Sequence, residues 1–117
     1  MFMQHVTIYT TRLDASVAFY QDIVRLKITS DRRPNAPMVF LANQKGETEI
    51  ELIETPAERA YTGSGITIGF YTEDVEAEHT RLAGLGLEPT DIISPAPGVQ
   101  FFFVKDPSGV QIQIIKE

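Results

Sequence analysis

Thr48-Glu49-Ile50-Glu51-Leu52-Ile53-Glu54 is the stretch on which the reading of this chain turns. With the two-residue period of a strand, Ile50 and Leu52 go to one face, and Glu49, Glu51 and Ile53 to the other. A sheet buries the apolar face readily. Carboxylates enter a packed interior only when paired, protonated or bound to a cation. A central strand of this pattern therefore turns its second face towards a cavity rather than a core.

Outward from that stretch, Asn43-Gln44-Lys45-Gly46 is a hairpin-like turn and Met38 to Ala42 a preceding strand. Asp31 to Pro37 is a turn-rich connection carrying Arg32 and Arg33, and Ile28-Thr29-Ser30 is a short strand. Val17, Tyr20, Ile23 and Val24 share one face of a helix that starts near Leu13-Asp14, with Asp14 as cap or first-turn carboxylate. Gln4 to Tyr9 alternates, with Val6 and Ile8 opposed to His5, Thr7 and Tyr9. Thr55 to Gly65 is polar and reads as a linker.

Beyond it the order recurs. Ile66 to Tyr71 alternates, Glu73-Asp74 opens a helix through Val75, His79, Leu82 and Leu85, and Ile92-Ile93 is a brief strand. Val99 to Val104 and Val110 to Ile115 are strands joined by the tight turn Asp106-Pro107-Ser108-Gly109. His5 and Thr67 stand 62 positions apart, and so do Glu51 and Gln113. One displacement aligning first strand, helix and last strand marks an internal repeat of β-α-β-β-β units. The fold class is α+β, one domain over 1–117, with module 1 at about 1–55 and module 2 at about 66–117.

Bulk properties narrow the function. The 117 residues carry a net charge of −6 with no run of Lys or Arg, which argues against nucleic-acid and anionic-membrane binding. The chain contains no Cys, so disulfides, thiolate metal sites and a cysteine nucleophile are excluded. No apolar segment approaches the roughly 20 residues that cross a bilayer. The N-terminus lacks the layout of a signal peptide, and cytoplasmic residence is the default expectation.

Two sets of residues carry the resemblance to a known family: His5-Val6-Thr7-Ile8 followed by Leu13 to Tyr20, and Phe103 to Ile112 around the Asp-Pro-Ser-Gly turn. With the repeated element order, they make the chain similar to the vicinal oxygen chelate superfamily, which includes glyoxalase I, bleomycin-resistance proteins and extradiol dioxygenases. The resemblance implies a curved mixed sheet from each module, the two forming an open cup around a small-molecule ligand, and a homodimer. Metal-dependent members place one ligand on the first and one on the last strand of each module; the matching positions here are His5, Glu51, Thr67 and Gln113. The first two retain imidazole and carboxylate chemistry. A Thr hydroxyl and a neutral amide replace the others, two firm ligands where catalytic zinc sites present three.

The expectation is a small-molecule pocket with no cofactor or a weakly held divalent metal. The alternative is a divalent-metal-dependent lyase, isomerase or dioxygenase-type enzyme using His5 and Glu51. Each candidate has two readings. His5 is a hydrogen-bonded pocket histidine or a ligand; Glu51 is a carboxylate satisfied by its neighbours or a general base. Thr67 and Gln113 orient a ligand or are structural. Tyr9, Tyr71, Phe40 and Phe102 fall at strand positions that could wall a pocket or fill a core. His79 reads as a packed histidine, and Glu49, Arg32 and Arg33 as solvated charges, the arginines with the alternative of meeting an anion.

Overall fold

The computed structural model describes all 117 residues as two compact units, Met1–Thr62 and Gly63–Glu117. Unit 1 runs β1 (His5–Thr10), α1 (Leu13–Ala18, continuing as a π-helical turn over Phe19–Ile23), β2 (Lys27–Asp31), β3 (Met38–Ala42) and β4 (Glu49–Glu54). Unit 2 runs β5 (Thr67–Tyr71), α2 (Val75–Gly84), β6 (Ile93–Ala96), β7 (Val99–Lys105) and β8 (Gln111–Lys116). Each forms an open four-stranded mixed sheet, in the orders β1-β4-β3-β2 and β5-β8-β7-β6. First and last strands pair in parallel, and the remaining pairs are antiparallel. No helix is long and apolar enough to cross a membrane.

The expected repeat is present, with strand boundaries shifted by at most one residue except at β6, which runs on to Ala96. Most of the expected linker, Thr55 to Thr62, belongs to unit 1: a 3-10 turn spans Ala57–Arg59, and the amides of Thr55 and Tyr61 each bond to β1, at Thr10 and Tyr9, over 2.9 Å. The core of unit 1 joins Ile8, Val39, Leu41, Ile50 and Leu52 of the sheet with Leu13, Val17 and Tyr20 of the helix. That of unit 2 joins Phe102, Val104, Ile112 and Ile114 with Val75 and Leu82.

The two helices start differently. Asp74 caps α2, its carboxylate accepting the Ala77 amide at 3.0 Å. At the other end Leu87 and Gly86 donate to the carbonyls of Leu82 and Ala83, a Schellman closure that requires the positive φ of Gly86 (84°). In α1 the capping is remote: Glu54 Oε1, from the end of β4, accepts the Leu13 amide at 3.2 Å, and Thr10 Oγ1 accepts that of Arg12 at 2.9 Å. Asp14 is thus a first-turn carboxylate, not the cap. It instead takes Arg33 Nη1 at 2.9 Å, while the rest of that guanidinium grips both oxygens of Asp31 at 2.9 and 2.8 Å.

The repeat is not in uniform register. Glu51 faces Phe40 across β4 and β3, whereas Gln113 faces Phe103 across β8 and β7. The β7–β8 connection is therefore one residue shorter than its counterpart, and a one-residue shift reverses every side chain of a strand. Phe102 was expected among the pocket-wall candidates, and the structure corrects this. It is fully buried, edge-on to His79 of α2 at 5.0 Å between ring centroids, and belongs to the helix–sheet core. His79 is the packed histidine expected, with Nε2 2.9 Å from the Thr90 carbonyl oxygen.

Two outcomes are expected of this packing. Phe102→Ala will cost about 3–5 kcal/mol in urea denaturation, as for a buried aromatic, and Phe103→Ala about 1 kcal/mol; equal losses would contradict the register. The Arg33 side chain, and next its amide, hold the Asp31 carboxyl at about 2, below its ordinary 3.8. A depressed carboxylate contributes stability above its unfolded value that is lost as pH falls through the folded one. NMR titration will accordingly place the Asp31 midpoint near 2, and Arg33→Gln will return it towards the ordinary value.

Candidate functional site

Each sheet covers one face with its helix; the candidate polar residues lie on the other. In unit 1 the register sets Thr7, Glu51, Phe40 and Ser30 in one row across the four strands, with His5 opposite Glu49 in the next. Glu51 is only 8 % exposed, so its carboxylate needs partners. Oε1 accepts the Thr7 hydroxyl at 2.5 Å, and His5 Nε2 lies 3.4 Å from the same oxygen. The imidazole is also edge-on to Phe40, 6.3 Å between centroids. No buried side-chain nitrogen or oxygen lacks a partner.

Glu49, expected to be solvated, is half-buried and accepts the Thr29 hydroxyl. The irregularity in β2 between Ile28 and Ser30 contains Thr29 and takes it out of strict alternation. Both carboxylates on this face are thus held by threonine hydroxyls from other strands. Thr7 was legible as a same-face residue one pleat after His5, but its pairing with Glu51 depends on the parallel register. Tyr9 lies on this face too, towards the end of β1, and is half exposed.

Unit 2 repeats the geometry with different chemistry. Gln113 lies opposite Gly69, where unit 1 has Glu51 opposite Thr7. The missing side chain makes room for the amide: a Cβ on Gly69 would come within 3.2 Å of Gln113 Oε1. Thr67 is exposed and registers with Gln111. Tyr71 is exposed as well, and the Glu73 carboxylate that accepts its hydroxyl holds the phenol above its ordinary pKa. Phe103 and Phe101, edge-on at 5.5 Å, supply the aromatic surface beside Gln113. A cleft of about 580 Å³ reaches Phe103 from Gly86, Leu87, Thr90 and Lys105 but takes in neither Thr67 nor Gln113.

The donors do not fit a tightly held divalent cation. Unit 1 contributes one imidazole and one carboxylate whose nearer oxygen already takes the Thr7 hydroxyl. The matching positions of unit 2 carry only neutral oxygen donors, and neither unit gathers three His, Asp or Glu side chains. The arrangement can hold and orient a polar group of a small molecule and can exchange a proton with it through His5 or Glu51.

Comparison with known proteins agrees with this architecture. YwbC, an uncharacterized protein of Bacillus subtilis (strain 168), is 29% identical over 126 residues, covering 97% of this chain and 96% of its own. A lactoylglutathione lyase from Agrobacterium tumefaciens superposes with a TM-score of 0.73 at 22% identity, covering 96% of this chain and 90% of that one. TnmS3, an antibiotic binding protein from Streptomyces sp. CB03234, does so with a TM-score of 0.76 at 20% identity, covering 97% and 93%. At these identities the structural likeness establishes the fold. The family model for the Glyoxalase/Bleomycin resistance protein/Dioxygenase superfamily matches residues 3–114, and the chain belongs to that superfamily.

Proposed function

We propose that this protein binds a small organic molecule on the helix-free face of unit 1, without a tightly held metal. The observation that carries the reading is Glu51: a nearly buried carboxylate on a face without helix cover, held by Thr7 and His5 beside the Phe40 ring. Few, fixed polar groups next to an aromatic surface are what small-molecule sites are made of. Superfamily membership supports it, as does the likeness to TnmS3, itself an antibiotic binding protein. Gln113, Thr67 and Phe103 give unit 2 a neutral counterpart suited to hydrogen bonding rather than to a cation. In the same reading the chain is a cytoplasmic homodimer, to which the absence of Cys lends support on location and the superfamily resemblance on assembly.

The metal-dependent enzyme reading finds no third firm ligand. Elemental analysis of protein purified without chelators will show far less than one zinc, nickel, manganese or iron per chain. A stoichiometric metal lost in both His5→Ala and Glu51→Ala would overturn the proposal. The Thr7 contact has its own measurable consequence. Thr7→Val removes a donor from a buried carboxylate and will cost about 1–3 kcal/mol in denaturation, while Thr67→Val, at the exposed start of β5, will change stability by less than about 0.5 kcal/mol.

A further inference from the structure

Given the small-molecule site proposed for unit 1, on which the inference rests, the class of molecule it takes can be read from two adjacent arginines. Arg33 is fully engaged: Asp31 takes Nε and Nη2, and Asp14 takes Nη1. Arg32 is not. Its Nε donates to Ser30 Oγ at 3.1 Å, its Cζ lies 5.9 Å from the centre of the Phe40 ring, and it has no carboxylate within ion-pair distance. Both terminal nitrogens are left without a partner in the fold. Ser30 and Phe40 belong to the same row as Glu51, so this guanidinium stands at one end of the constellation and Glu51 with His5 at the other.

We propose that unit 1 binds a small organic acid: its carboxylate on Arg32, its flat body against Phe40, and a hydroxyl or comparable polar group towards Glu51 and His5. Three features lead there. A guanidinium held by one side-chain bond and an aromatic face keeps a planar pair of donors ready for a carboxylate, the geometry arginine recognises best. Glu51 and Ser30 flank Phe40 on the neighbouring strands, two strand spacings or about 10 Å apart, which suits a molecule with one ring and a polar group at each end. The chain as a whole carries −6, which disfavours adventitious anions, so an arginine left unneutralised beside a polar site is a selective feature.

Titration of the full-length protein with 4-hydroxyphenylacetate and with its neutral amide, 4-hydroxyphenylacetamide, tests this by ¹⁵N NMR. The acid will shift the amide resonances of Arg32, Phe40 and Glu51 and bind about tenfold more tightly than the amide. Arg32→Gln will remove the acid's advantage over the amide; with Arg32 exposed, the variant retains the wild-type spectrum elsewhere. Equal binding of the two compounds to the wild type, or a preference that survives Arg32→Gln, overturns the assignment of an acid while the site itself stands. If neither compound moves these resonances, the site fails and the acid assignment with it.

Discussion

A carboxylate removed from water on the second face of a β-strand is the constraint from which the polar face of unit 1 follows. Glu51 belongs to an inner strand of the sheet, between β1 and β3, where solvent cannot be its main partner. Its charge has to be met from neighbouring strands, and the parallel pairing with β1 brings both Thr7 and His5 to it. Leaving such a group unmet would cost several kcal/mol. The face is therefore organised around one polar centre, with Phe40 as the apolar surface next to it. The amide of Gln113 demands less, and unit 2 accommodates it with an empty position at Gly69 rather than with a dedicated donor.

Much of this was legible in the residues. Alternation in Glu49–Glu54 and in the strands around it, together with one displacement linking His5 to Thr67 and Glu51 to Gln113, was enough for the element order, the repeat and the strands that carry the candidate residues. What stayed hidden depended on pairing. Nothing in the local pattern near Thr29 discloses that a β2 irregularity gives its hydroxyl to Glu49. Phe101, Phe102 and Phe103 form an apolar run without alternation, so periodicity alone could not say which ring meets the helix; hairpin length decided it. Arg32 and Arg33 are equivalent as letters, and only the positions of Asp14, Asp31 and Phe40 separate an arginine that ties a loop to α1 from one whose terminal nitrogens have no carboxylate partner.

The contrast between the units also shows how a repeat can keep a fold while changing its chemistry. Core positions on the last strand are filled in the same way in both, by Ile50 and Leu52 in one unit and Ile112 and Ile114 in the other. The other face has diverged: an acid held by an alcohol and an imidazole in one unit, an amide above a glycine in the other. Substitution there leaves the helix–sheet core untouched, and so the pairing of strands survives it.

The remote capping of α1 separates the two copies in a further respect. α2 carries its own start and stop signals, Asp74 and Gly86, and can nucleate from contacts local in sequence. The start of α1 is served by Glu54, 41 residues downstream, so its first turn is complete only once β4 has docked beside β1. Loops of that length are closed before their contacts are rewarded. Two modules of one architecture thus secure the start of their helices differently: the second with a residue beside the helix in sequence, the first with a contact that only the assembled sheet supplies.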